Sequence, residues 1–325
     1  MPTASIRRML TVLPLVSLLA CGQDSAGPSR VVPTQAQYSF AQSEWSAPVN
    51  IGAPINSTAG EMNAALSSDE LSLYFTSDRA GGLGTTDIWV SHRDCRDCPW
   101  QTPANLGAPF NSSGQDAGPR LSIDGHLLFF QSDRPVGSNV GGDIYVSRRN
   151  NPNDDFGWGP PVRLGSEVNT PDGTENAAAY LQSAEDGGGN LYFNRTTPTV
   201  PQPELYVASI TRDGETRGPA VPVSELNVIT ANDQHATLRK DGREIFFSSN
   251  RTGGLGSFDI WSSTRRSVHE PWSPPVDIGA PPNTTFSDQQ PSLSSDGRTL
   301  VFTSNRPTGL GANDLWISTR TPGDH

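Results

Sequence analysis

Four polar positions recur five times along the chain, and they are the side chains with which it could do chemistry. A first acid stands at Glu61, Asp116, Glu175, Asp233 and Asp288, and an asparagine at Asn56, Asn111, Asn169, Asn227 and Asn283. Each arginine is followed within the repeat by a second acid: Arg79 by Asp87, Arg134 by Asp143, Arg195 by Glu204, Arg251 by Asp259, Arg306 by Asp314. These arginines and second acids are expected to form forks that fix a loop, and the asparagines to cap turns. The first acids are expected on the rim of a channel, as a ligand or ion site. Two unit charges 4 Å apart repel by about 4 kcal/mol at an effective dielectric of 20, so clustered carboxylates need arginines, a cationic ligand or an ion such as Ca²⁺. Two residues beyond each first acid the repeat varies (Asn63, Gly118, Ala177, His235, Gln290). His235 could ligate or hydrogen-bond there; a solvated loop histidine is the plainer alternative.

Linear catalytic motifs are missing. There is no G-x-S-x-G elbow and no H-E-x-x-H helix, and Gly81-Gly82-Leu83-Gly84 lies between hairpin strands instead of opening a helix, which excludes a phosphate cradle. The expectation is therefore a non-catalytic binding module with no cofactor, apart from the Ca²⁺ candidate at the channel mouth. The alternative is a glycoside hydrolase using two channel carboxylates; against it stands the equivalence of the acids in all five repeats.

The elements that must position these residues are short strands. LYFTSDRAGGLGTTDIWVSHR ends at Arg93, and versions of it end at Arg149, Arg265 and Arg320, with an eroded copy, LYFNRTTPTVPQPELYVAS, ending at Ser209. Each follows a short strand and an Asp-led turn, as at Asp69, Asp124, Asp241 and Asp296, and precedes a segment such as Ala104-Asn105-Leu106-Gly107. One unit is thus four strands, a to d, with a period that suits a propeller blade. Strands b and c are apolar at nearly every position, so both faces of each sheet must be buried by neighbouring blades. The first copy of strand d, at Val49, precedes any strand a, whereas the last blade lacks one. The fold class predicted is all-β: a five-bladed propeller over 45–320 whose N-terminal strand closes the last blade.

The pattern DG-x-x-[LI]-x-F-x-S-[DN]-R-x-x-G-G-x-G-x-x-D-[IL]-W, with W-x-x-P-V-x-[LI]-G before it, resembles the TolB-type WD40-like repeat, also called PD40. The resemblance covers 45–320 and implies a propeller of the bacterial envelope, found in periplasmic and outer-membrane proteins. No fused peptidase or peptidoglycan-binding domain accompanies it here.

Residues 1–20 hold Arg7, Arg8 and a short apolar run, which reads as a signal peptide, and Leu18-Leu19-Ala20-Cys21 resembles a lipobox that would acylate Cys21. Residues 21–44 would form a tether, and 321–325 a tail. Cys95 and Cys98 are then left as a pair suited to a small loop disulfide. The expected location is the bacterial envelope, lipid-anchored, facing the periplasm or at the outer membrane, with an envelope protein or polymer as partner of a monomeric propeller. The net charge of −11 excludes nucleic acid, because no basic stripe offsets phosphate repulsion.

Overall fold

The computed structural model describes residues 45–135, 142–183 and 188–321. The proposed signal peptide, Cys21, the tether and residues 322–325 lie outside the described residues. Among the described residues there is no helix, and the strands form five four-stranded antiparallel sheets. Strands a are Glu61–Leu66, Asp116–Leu121, Thr174–Gln182, Asp233–Leu238 and Asp288–Leu293; strands b are Ser72–Ser77, Leu127–Ser132, Gly189–Thr197, Glu244–Ser249 and Thr299–Ser304. Strands c are Asp87–His92, Asp143–Arg148, Val200–Ile210, Asp259–Thr264 and Asp314–Thr319. Strands d are the two-residue pairs Ala104–Asn105, Val162–Arg163, Val221–Pro222, Val276–Asp277 and, for the fifth blade, Val49–Asn50.

The expected closure is present. Val49 and Asn50 pair with Ile317 and Trp316, and Trp45 bridges to Arg320. Ser46 N donates to Thr319 O at 2.7 Å, so the start of the propeller completes its last sheet and leaves no open edge there. Trp45 lies under the Arg320 guanidinium, 4.7 Å from the ring centre, and the same stack recurs as Arg93 on Trp100, Arg149 on Trp158 and Arg265 on Trp272. These tryptophans are the ones that precede strand d in the sequence repeat.

Apolar strands b explain the stacking. Their alternate residues face opposite neighbours: Tyr74 joins Phe130 and Tyr145 of the second blade, whereas Leu73 and Phe75 join Val301 and Leu315 of the fifth. Five such clusters form, one per interface between blades. A fully buried phenylalanine contributes roughly 1.5–3 kcal/mol, which makes these interfaces the main source of stability. The last glycine of the Gly-rich loop is required by the same packing. A Cβ on Gly84, Gly256 or Gly311 would run into the backbone carbonyl of Gly114, Phe286 or Ala59 on the adjoining blade. Cys95 and Cys98 form a disulfide in the turn after the first strand c.

Candidate functional site

Strands a of neighbouring blades touch around the ring and are its innermost strands. Four of the first acids open these strands and Glu175 is second in its own; all five are fully buried, with no exposure at all. Each is paired with the arginine of its own blade: Arg79 Nη2 to Glu61 at 3.0 Å, Arg134 to Asp116 at 2.6 Å, Arg251 to Asp233 and Arg306 to Asp288 at 2.5 Å, and Arg195 Nε to Glu175 at 2.8 Å. The expected forks of arginine with the second acids Asp87, Glu204, Asp259 and Asp314 are not what the structure pairs, and the rim of exposed carboxylates becomes five buried arginine–acid contacts. Strand register is the reason. Ser77 lies opposite Glu61, so an arginine two residues further on folds back over the first acid. The second acids take the N–H groups of the Gly-rich loop instead: Leu83 N to Asp87 and Leu310 N to Asp314 at 2.5 Å, and Gly256 N to Asp259 at 2.9 Å. Asp143 accepts two bonds from Arg163, at 2.7 and 2.8 Å. Burial first, and then the charges of Asp277 and Asp288, push the Asp259 carboxyl up against the pull of the Gly256 N–H.

The asparagines do more than cap turns. The side-chain amide of Asn111 gives its Nδ2 to Ile88 O at 2.9 Å and accepts Ile88 N on Oδ1 at 3.1 Å, standing in for a strand neighbour. Asn56, Asn169, Asn227 and Asn283 do the same to Leu315, Ile144, Leu205 and Ile260.

The third blade departs from this scheme. In the other four, a serine two residues before the arginine accepts its backbone N–H and Nε, as Ser249 does from Arg251. Both carboxylate oxygens of the first acid are also used: Asp233 accepts Val228 N on Oδ2 and the Ser249 hydroxyl and Arg251 on Oδ1. In the third blade Arg195 itself occupies the register position opposite the acid, and no such serine exists. Glu175 Oε1 receives Thr170 N, the Thr170 hydroxyl and Arg195 Nε, while Oε2, fully buried, has no hydrogen-bond partner. Burial pushes the Glu175 carboxyl above its usual range despite the pull of Thr170 and Arg195. Glu175 N donates to Gly142 O at 2.9 Å, which brings the start of the second strand c, and Asp143, alongside.

The variable third position of strand a is a bulge. Asn63, Gly118, Ala177, His235 and Gln290 all have φ between 51 and 65°, a conformation costing about 1–2 kcal/mol for a side chain other than glycine. The bulge turns a backbone N–H toward the preceding blade: Gly118 N reaches the Thr76 hydroxyl at 3.0 Å and Gln290 N the Ser248 hydroxyl at 2.7 Å. His235 is partly exposed, and its Nδ1 is enclosed without a partner. Burial, and then the Arg120 charge, hold its imidazole well below the ordinary histidine range.

Arg120 is the functional candidate that sequence reasoning passed over. It is fifth in its strand a, where the other blades carry Ala65, Ala179, Thr237 and Ser292. The exchange of a small residue for a cation in one repeat of five was the signal available. The cavity beside it opens on the face of the a–b turns, opposite the face of the b–c and d–a loops that seemed the roomier. Among the described residues no three His, Cys, Asp or Glu side chains come together in a way that could hold a metal ion.

No family model and no curated protein matches the chain. Solved structures do, and those most similar are mainly glycoside hydrolases. A thermostable family-43 glycoside hydrolase aligns over 84% of this chain and 97% of its own, with a TM-score of 0.57 and 14% identity. An endo-arabinase from Bacteroides thetaiotaomicron aligns over 86% and 99% (TM-score 0.56, 15% identity), and an alpha-L-arabinofuranosidase from Lactobacillus brevis over 82% and 92% (TM-score 0.54, 12% identity). A protein assigned as TolB from Agrobacterium tumefaciens reaches a TM-score of only 0.47 at 17% identity, over 76% and 70%, too loose to support an assignment. At these identities the likeness establishes the five-bladed fold. Against the expectation of a non-catalytic module, the solved propellers that align over nearly their whole length include several glycoside hydrolases, which favours the alternative of a carbohydrate-active enzyme. That expectation leaned on the equivalence of the acids, which fails at Glu175.

Proposed function

We propose that the chain is a carbohydrate-active enzyme that hydrolyses glycosidic bonds, with Glu175 as its general acid. One observation carries the reading: alone among the five first acids, Glu175 has an oxygen with no hydrogen-bond partner, and burial raises its carboxyl. A glycosidase needs a neutral carboxylic acid to protonate the leaving oxygen and an ionised carboxylate to activate water or attack the sugar. Two carboxyl groups in unlike surroundings supply that division of labour. Glu175 is the desolvated one. Asp143, held by both arms of Arg163 and adjoining Glu175 through the Gly142 carbonyl, is its candidate partner. Glu175 has no exposure in the structure, so turnover requires that the segment bonded to it at Thr170 move aside.

The similar propellers include an arabinofuranosidase, an endo-arabinase and a xylosidase, so arabinose- and xylose-containing glycans are the substrates to try first. The blades are read as TolB-type repeats on the sequence motif, and the lipobox supports an enzyme tethered to the envelope through Cys21. The test is turnover of arabino- and xylo-oligosaccharides by the purified chain. Glu175→Gln is expected to lower kcat by about 10²–10⁴, the usual worth of general acid catalysis, with a folded thermal transition kept. No turnover on these glycans, or full kcat in Glu175→Gln, would overturn the reading.

A further inference from the structure

Around the ring, position five of strand a carries Ala65, Ala179, Thr237 and Ser292 in four blades and Arg120 in the other. Small side chains in four blades leave room, and a cavity of about 80 Å³ opens at the a–b turns, lined by these five residues and, nearer the mouth, by Lys240. Arg120 is 93% enclosed. Its guanidinium donates to three backbone carbonyls: Ala64 O at 2.6 Å, Pro119 O at 2.9 Å and Pro291 O at 3.1 Å. Its Nε is buried with no acceptor. None of the ion pairs among the described residues includes it.

A buried guanidinium satisfied only by neutral carbonyls is an unusual expense for a fold, since its charge stays uncompensated. Burial lowers its pKa to about 10, so it remains cationic at neutral pH. His235, which senses the Arg120 charge, is held neutral, and no Asp or Glu lines the cavity, so nothing there supplies a negative charge. The contrast with the five arginines of the repeat is sharp, because every one of those has a carboxylate of its own chain.

We propose that this cavity is a binding site for a monocarboxylate, whose single negative charge pairs with Arg120 while Thr237 and Ser292 donate hydroxyl hydrogen bonds. Charge balance selects the class. Arg120 is the enclosed cation and Lys240 on the wall is exposed to water, so one negative charge neutralises the enclosed part of the site, whereas a phosphate dianion would carry an excess charge into it. The planar guanidinium fork matches a carboxylate better than a spherical halide. A cavity of this size admits a small carboxylate, or the carboxylate end of an acidic sugar whose ring rests at the mouth beside Lys240. The site is at the a–b turns, the opposite end of strand a from Glu175, and does not depend on any hydrolytic activity.

The test is the thermal midpoint of the purified full chain at pH 7 against increasing sodium acetate, sodium glucuronate, sodium phosphate and sodium chloride at matched ionic strength. A ligand that binds only the folded state raises the midpoint with its concentration. Acetate and glucuronate are expected to raise it and chloride and phosphate to leave it unchanged. Equal shifts by both carboxylates assign the site to free acids, and a shift by glucuronate alone assigns it to acidic sugars. Arg120→Met should abolish the carboxylate shift. Should that variant fail to fold, Lys240→Ala and Ser292→Ala on the cavity wall are expected to weaken binding several-fold. A shift common to all four salts, no shift by either carboxylate, or an undiminished carboxylate shift in a folded Arg120→Met would overturn the proposal.

Discussion

The third blade and the other four solve one packing problem with different parts. Four blades bury an acid at the head of strand a under an arginine and a serine, and every oxygen of that acid is used. The third blade has the arginine but not the serine, reaches its acid from a different place in the strand, and leaves one oxygen unpartnered. Both arrangements end at the same backbone target: Arg195 Nη2 donates to Val168 O at 2.6 Å just as Arg251 Nη2 donates to Leu226 O. The ring therefore demands the arginine as a strut between the a and d segments. It does not demand that the acid be ionised. Where the second requirement lapses, one carboxyl oxygen is left without a hydrogen-bond partner.

Removing the strut is the largest way to break the comparison. Arg251→Ala leaves the Asp233 carboxylate buried without its cation, and breaking such a pair costs about 3–5 kcal/mol. Arg195→Ala should cost less, about 1–2 kcal/mol, because Glu175 can meet the loss by keeping its proton. Urea unfolding of the two variants at pH 7 measures the difference; equal losses would mean that Glu175 gains no relief by keeping its proton and that the blades do not differ.

A smaller effect separates the bulge residues of the third and fourth blades, Ala177 and His235. The folded chain holds the His235 imidazole below its ordinary range, so between that lowered value and about 6.5 the unfolded chain binds more protons. Stability then rises with pH through this window, is complete above about 6.5 and is lost on acidification, with a slope of at most about 1.4 kcal/mol per pH unit from this one group. The exposed edge of the ring makes the observed slope shallower. His235→Gln should flatten the acid limb of a stability-against-pH curve, and an unchanged limb would place the titration elsewhere.

Most of the fold was legible because it is repeated. The nearly continuous apolar run of strands b, the Gly-rich loops and the orphan strand at Val49 each had one physical reading, and the structure meets all three. The site was less so, since partner choice depends on register. Nothing in the spacing of Arg79 distinguishes Glu61 from Asp87; only the hairpin register, with Ser77 opposite Glu61, decides it. The serines were in plain view within the S-[DN]-R motif, yet their part as the shared acceptor of the arginine emerges only in three dimensions. Arg120 was hidden by the opposite problem, because averaging over repeats conceals a residue that matters by being unlike its equivalents.

The smallest expected effect concerns the same bulge in the second and third blades, where a glycine and an alanine share one backbone conformation, φ 65° at Gly118 and 53° at Ala177. A Cβ on Gly118 would meet nothing closer than the Ala177 Cα at 3.9 Å, so packing does not exclude it and only the left-handed backbone penalises it. Gly118→Ala should therefore destabilise by about 1 kcal/mol, and Ala177→Gly should stabilise by a similar amount, less the entropy that glycine loses on folding. Thermal midpoints of the two single variants and their double test this directly. The residues adjoin, so the double mutant also reports whether the blades relieve strain together; a sum that departs from the two singles by more than about 0.5 kcal/mol would show that the bulge is set between blades and not within each one.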